Sequence, residues 1–364
     1  MRQPVSPRAP VVVKVGSSSL TGRHGIALQA LGGVVEQVAH AWNAGRPTVL
    51  VSSGAVAAGL PAMGKNVRPK EVADLQVAAA VGQSRLMAHY TQAFSFHGMV
   101  VGQVLLTKSV LADREQYLHA RAALGRMLSQ RIVPIVNEND TVAVEELRLG
   151  DNDRLAALVS HLVSAGLLVL LTDTAGFHTA DPRVDVDAEL VSAVRHTDEI
   201  LDRLAVGGGG PLGSGGVATK VAAARMAAWS GIPTVIAPAS DRQAVHKAVT
   251  GEDVGTWVDP HDTRLPARKL WIAFGQPSEG TIEVDAGAVR ALVDHGRSLL
   301  PVGVAAVDGT FRPGAAVEVS GPDGAIVAKG VTRMAADELR AVAGLRSDQA
   351  GGEAIHRDDL VVFT

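Results

Sequence analysis

Cysteine is absent from the 364 residues, which excludes disulfides, thiolate catalysis and cysteine-bound zinc. Aromatic residues make up only 3%, too few for base-stacking platforms to dominate a surface. Basic charge is not in excess: 34 Lys and Arg stand against 37 Asp and Glu, and the net charge is −3. The composition therefore carries no nucleic-acid footprint. Apolar runs such as Leu167–Leu171 fall far short of the roughly 20 residues that span a bilayer. The opening stretch MRQPVSPRAP holds no apolar segment and does not read as a signal peptide, so a cytoplasmic enzyme is expected. The 12 histidines show no metal-ligand spacing. A G-x-S-x-G elbow is missing too, which argues against a serine hydrolase.

What is present is a chain with 47% hydrophobic residues and 39 glycines, enough for sizeable cores. Its length suggests two domains. Runs rich in Val, Ile and Leu predict buried strands over 11–15, 48–51, 99–105, 132–136, 167–171 and 233–237. Ala-rich stretches between them predict helices over 26–44, 71–96, 114–130, 154–164 and 217–230. Continuous apolar strands alternating with helices indicate an α/β fold, a mainly parallel sheet covered on both faces. After about residue 258 the character changes. The Pro- and charge-rich stretch DPHDTRLPARK predicts a linker, and short strand-like pieces over 280–284, 316–319 and 326–330 follow, with one helix over 287–295. The expected organisation is a tail over 1–10, an α/β domain over 11–260, a linker over 261–278 and a small β-rich domain over 279–364.

In an open parallel sheet, ligands bind beyond the carboxyl ends of the strands. The segments placed there are small and polar: Gly16-Ser17-Ser18-Ser19, Ser52-Ser53-Gly54-Ala55, Asn137-Glu138-Asn139-Asp140 and Thr172-Asp173-Thr174-Ala175-Gly176. Lys14 sits inside the buried-strand pattern VVVKV. A buried ammonium is costly unless it meets an anion, so Lys14 either makes a structural ion pair or reaches past the strand end toward phosphate; the second is the preferred reading. Lys220 follows the glycine loop Gly213-Ser214-Gly215-Gly216 into a helix. There it opposes the helix dipole, and an anionic ligand resolves the conflict; an ordinary surface lysine is the alternative. Neither the Walker A spacing nor a G-x-G-x-x-G fingerprint is present. Glu138, Asp140, Glu145, Glu146, Asp151 and Asp153, mixed with Asn137, Asn139 and Asn152, form an acidic and amide cluster. Such a cluster can bind an ammonium, orient lysines, hold Mg²⁺ or simply face solvent, and one of residues 151–153 can be a helix cap.

Taken in order, Lys14–Ser18, Ser52–Gly59, Asn137–Asp140, Gly150–Asp153, Leu171–Asp173, Thr179–Arg183 and Gly213–Lys220 resemble the amino-acid kinase family, and within it the glutamate 5-kinases. The C-terminal segments Ile282–Ala288, Gly296–Gly303 and His356–Asp359 resemble a PUA domain. The resemblance implies phosphorylation of the γ-carboxylate of L-glutamate by ATP, the first step of proline biosynthesis. It implies catalytic roles for Lys14, Lys220 and Asp153, with Asp153 orienting the two lysines. Glutamate would be held by Ser53, Asp140 and Asn152, helped by Asn137 and Asp151. ATP would be held by Lys14, Thr172, Asp173, Ser214, Gly215, Gly216, Val217, Ala218, Thr219 and Lys220. Mg²⁺ would be held mainly by the nucleotide phosphates rather than by protein ligands. Proline feedback, a homodimer or homotetramer, and transient contact with glutamyl-phosphate reductase are implied in the same way. Two competing readings stand beside it: a kinase of the same fold acting on N-acetylglutamate, aspartate, carbamate or UMP, and an RNA-binding protein working through the PUA-like module. The acidic cluster disfavours a phosphate-bearing acceptor, and the sparse Lys and Arg of the module disfavour RNA as a partner.

Overall fold

The computed structural model describes residues 2–363 except 3, 23–24, 66, 108–109, 111–112, 143–151, 183, 208–215, 263, 277 and 347–348. The chain divides into two compact units, Met1–Arg264 and Leu265–Thr364.

In the first unit the strands are β1 (Val11–Val15), the short hairpin β2 (Thr21–Gly22) and β3 (Gly25–Ile26), then β4 (Thr48–Ser52), β5 (Val100–Leu106), β6 (Ile132–Glu138), β7 (Leu167–Thr172), β8 (Ala193–Arg195), β9 (Thr234–Pro238) and β10 (Thr256–Asp259). The helices are α1 (Ser17–Leu20), α2 (Leu28–Asn43), α3 (Ala55–Ala62), α4 (Val72–Ser95), α5 (Arg114–Ser129), α6 (Asn152–Leu162), α7 (Glu199–Gly207), α8 (Gly216–Trp229) and α9 (Ala244–Thr250). Among the described residues, eight strands form one sheet in the order β5-β6-β4-β1-β7-β9-β10-β8. All neighbours pair in parallel except β9 with β10. β1, β4 and β7 are buried along their whole length, as expected for strands covered by helices on both faces. Lys14 lies in register with Val51 on one side and Leu170 on the other. It is therefore carried by the central strand, and the carboxyl ends of β4, β6 and β7 open on the same edge of the sheet.

Helix α3, within a stretch not predicted as helix, is short and contains Gly59 and Pro61, both poor helix formers in isolation. Packing makes it. A Cβ on Gly59 would lie 2.0 Å from the Ala78 carbonyl oxygen, and one on Gly82 would lie 1.7 Å from that of Ala55. Glycines on both sides let α3 and α4 meet backbone to backbone. Gly54, just before α3, turns the chain with φ +110°, a conformation glycine adopts freely.

His161, at the end of α6, is half-buried, and burial with Arg121 and Arg264 nearby lowers its pKa to about 4. In the unfolded chain it titrates near ~6.5. The imidazole is neutral in the fold but protonates in the unfolded state first, so stability is fully present above that pH. Stability should then fall by roughly 3 kcal/mol as pH drops to about 4. Urea titrations of wild type and His161→Gln across that window check this: the variant should show the shallower slope.

In the second unit, β11 (Gly280–Val284), β12 (Val304–Gly309), β13 (Ala316–Ser320), β14 (Ile326–Val331) and β15 (Leu360–Val362) form a sheet in the order β12-β11-β13-β14-β15. Helices α11 (Ala286–Val293) and α12 (Ala336–Val342) belong to it. The stretch 261–278 was expected to be a linker. Within it, α10 (Ala267–Leu270) continues into a π-helical turn, Trp271–Gly275. Ile272 and Ala273 are buried there in a cluster with Val361. The apolar residues of WIAF thus turn that part of the stretch into packed structure of the second unit.

Candidate active site

Asn152 and Asp153 open α6 and are both buried. Asp153 Oδ1 lies 2.6 Å from Lys14 Nζ. Its Oδ2 accepts from Thr219 Oγ1 at 2.9 Å and from Lys220 Nζ at 3.2 Å. Lys220 also donates to the Gly216 carbonyl at 3.2 Å. Three distant elements therefore converge: the end of β1, the first turn of α6 and the first turn of α8. The Lys14 and Asp153 side chains are 5% and 3% exposed, and that of Lys220 is 13% exposed, so the charges interact with little water between them. Burial pushes the Asp153 carboxyl up, but the ammonium groups of Lys14 and Lys220 and the Thr219 hydroxyl outweigh it and hold it below the ordinary carboxylate value. Two ammonium groups share one carboxylate, so this cluster keeps a net positive charge. Lys14 makes an ion pair with Asp153, and the surplus charge leaves room for an added anion. Asp153 also pairs with Lys220 near the start of α8, offsetting its conflict with the helix dipole.

Asn152 points to a second, uncharged network. Its Nδ2 donates to Asn137 Oδ1 at 2.7 Å and to Ser53 Oγ at 3.0 Å, with the Ser52 carbonyl at 3.3 Å. Asn137 Oδ1 also accepts the Glu138 backbone N–H at 2.9 Å. Ser53, Asn137 and Asn152 thus meet where β4, β6 and α6 end or begin. Because Ser53 Oγ accepts from Asn152, its own hydrogen is free to donate to a carboxylate. Asp140 lies two residues past β6 and is half-buried, in a turn closed by Val142 N–H donating to the Asn139 carbonyl at 3.1 Å.

Thr172 ends β7, buried, and donates to Asp173 Oδ1 at 3.0 Å; Asp173 is exposed. Gly216, Val217, Ala218 and Thr219 form the first turn of α8. Asp151, Ser214 and Gly215 lie outside the described residues, as do Glu145, Glu146 and Gly213. Sequence reasoning missed the support behind the network. Tyr90 on α4 is fully buried, with its hydroxyl 2.7 Å from Ser52 Oγ; burial raises its pKa well above the ordinary phenol value despite the Ser52 hydrogen bond. Gln83, also on α4, accepts from Asn137 Nδ2 at 2.8 Å. A polar residue recurring every seventh position along α4 is the signal that could have found them.

The chain matches the amino acid kinase family over residues 9–238 and the PUA domain over residues 280–350. It is 44% identical over 362 residues to a glutamate 5-kinase of Pelobacter propionicus, covering 97% of each chain. It is 45% identical over 362 residues to one of Geobacter sp. (strain M21), again covering 97% of each. Against a glutamate 5-kinase of Pseudomonas fluorescens, identity is 43% over 371 residues and both chains are covered in full. With likeness of this extent across both units, the chain belongs to the amino acid kinase family, in its glutamate 5-kinase branch with a C-terminal PUA domain.

Proposed function

We infer that the chain transfers the γ-phosphoryl group of ATP to the γ-carboxylate of L-glutamate, giving ADP and L-glutamyl 5-phosphate, and so begins proline biosynthesis. One observation carries this reading: consecutive residues of α6 reach into two different environments. Asp153 joins a cationic cluster suited to phosphates, and Asn152 joins a neutral network suited to an amino acid.

A carboxylate oxygen of glutamate attacks the γ-phosphorus in line, and the bond to the β–γ bridging oxygen breaks with its electron pair leaving on ADP. The nucleophile is already deprotonated at neutral pH, so neither a protein nucleophile nor a general base is needed. Catalysis then consists of positioning and of neutralising charge on the transferring group. Lys14 and Lys220 supply that charge from two elements, and Asp153 fixes their direction. Ser53, Asn137 and Asn152 bind the amino acid, and Asp140 pairs with its α-ammonium. Thr172, Asp173 and the first turn of α8 receive the nucleotide. Both oxygens of Asp153 are engaged by lysines, which suits Mg²⁺ arriving with ATP, held mainly by phosphate oxygens and water; when bound it would supply further neutralisation of the β- and γ-phosphates. Proline feedback, a homodimer or homotetramer, hand-off to glutamyl-phosphate reductase and a cytoplasmic location complete the proposal, on family likeness.

Acceptor-dependent ADP release and hydroxamate formation with hydroxylamine test it, comparing glutamate with N-acetylglutamate, aspartate and UMP. Product with glutamate alone is expected; turnover with UMP or N-acetylglutamate instead would overturn the assignment. Asp140→Ala should raise the glutamate KM by about 10²-fold, the loss of one charge-assisted hydrogen bond, and leave the ATP KM within about twofold. Initial-rate kinetics in both substrates read this directly.

A further inference from the structure

Helix α4 lies behind the amino-acid network, and three of its side chains, spaced seven residues apart, touch the strand ends and the turn that build it. Gln76 Nε2 donates to the Thr141 carbonyl at 3.3 Å, next to Asp140. Gln83 Oε1 accepts from Asn137 Nδ2 at 2.8 Å. The Tyr90 hydroxyl lies 2.7 Å from Ser52 Oγ. Positions seven apart fall on one face of a helix.

The middle contact has a defined polarity. The Glu138 backbone N–H is a donor only and reaches Asn137 Oδ1. Asn137 must therefore present Nδ2 on its other side, where Gln83 presents Oε1. Gln83 Nε2 in turn donates to Gln103 Oε1 at 3.1 Å on β5. On the inner side, the Asn137 oxygen accepts from Asn152 Nδ2, which also donates to Ser53 Oγ. One backbone donor and one glutamine acceptor thus fix two asparagine amides and the hydroxyl direction of Ser53.

We propose that Gln83 is a positioning residue for glutamate: by accepting from Asn137 it holds the Asn137–Asn152–Ser53 network in the orientation that binds the amino acid. The proposal rests on the assignment of Ser53, Asn137 and Asn152 to glutamate. Gln83 lies beyond Asn137, outside the site itself, and acts only through the asparagine amides. Losing its acceptor removes the bond that braces Asn137 Nδ2 against α4, while the amide oxygen keeps the Glu138 N–H and Asn152; the looser Asn137 weakens glutamate binding without touching the lysine cluster.

The test is initial-rate kinetics in both substrates, with a thermal melt on each variant. Gln83→Met should raise the glutamate KM about tenfold, the scale of one hydrogen bond, with kcat and the ATP KM within about threefold. Gln83→Glu keeps an oxygen that accepts from Asn137, and should bring the glutamate KM back to within about threefold of wild type. Should Gln83→Met fail to fold, Gln83→Lys, which offers only donors, takes its place in the comparison. A glutamate KM within twofold of wild type in the acceptor-less variant overturns the proposal. So does a Gln83→Glu no better than Gln83→Met at equal melting temperature. Ser53→Ala separates the two layers. If it leaves the glutamate KM unchanged, the site assignment fails and the proposal with it; if it raises the KM while Gln83→Met does not, Gln83 alone is refuted.

Discussion

Lys220→Ala should lower kcat by about 10³-fold while the protein stays folded. Removing one preorganised donor aimed at developing charge costs on that order, and phosphoryl transfer depends almost wholly on such donors. Structural reasons point to a catalytic rather than a stability loss. The Lys220 side chain is 13% exposed at the mouth of the cluster, and Asp153 keeps Lys14 at 2.6 Å after the truncation. What disappears is the surplus positive charge, because one ammonium and one carboxylate then cancel. Single-turnover ADP formation, with melting temperature measured alongside, checks this. Lys220→Arg should recover only part of the rate, since a planar guanidinium cannot reproduce the compact ammonium that bonds both Asp153 and the Gly216 carbonyl. A loss of less than tenfold in Lys220→Ala would remove the lysine from the mechanism.

Asp153→Asn should do the reverse, destabilising the fold by about 3–5 kcal/mol, because a buried pair broken on one side leaves uncompensated charge. Lys14 is anchored on the central strand and cannot withdraw to water. The Asp153 carboxyl titrates below its ordinary value in the fold. Its stabilisation is therefore present above the unfolded-state pKa of about 4 and is lost as pH falls through the lower native value. That acid limb should be missing from the pH–stability curve of the variant. Anions should partly replace the carboxylate: ATP ought to raise the melting temperature of Asp153→Asn more than that of wild type. Equal stability of the two proteins at neutral pH would contradict the account.

The parts of this molecule legible in the sequence are those where burial dictates residue type. The central strands were read to within a residue or two of their ends because VVVKV, LLVLL and their kin suit only a strand buried on both faces. They run on into Ser52, Glu138 and Thr172 because parallel pairing is made by backbone groups and ignores side-chain polarity. Lys14 declared itself as a charge in an apolar strand. Its partner Asp153 was legible through the family resemblance alone: nothing local says that α6 begins at Asn152 and turns that carboxylate toward β1. The edge strand Ala193–Arg195 and its neighbour Thr256–Asp259 escaped notice because three or four residues give no period to detect. Helix α3 was missed because the packing of Gly59 on Gly82, rather than local propensity, forms it. Gln83 and Tyr90 look like ordinary helix residues until α4 is placed behind β4 and β6.

The central claim is that the substrate's own carboxylate oxygen becomes bonded to phosphorus. Glutamate labelled with ¹⁸O in the γ-carboxylate, turned over with ATP and trapped with hydroxylamine, tests it most directly. Hydroxylamine attacks the acyl carbon of the product and expels the phosphate with the bridging oxygen attached. The account predicts one ¹⁸O in each phosphate released, at the rate of hydroxamate formation; phosphate free of label would contradict it.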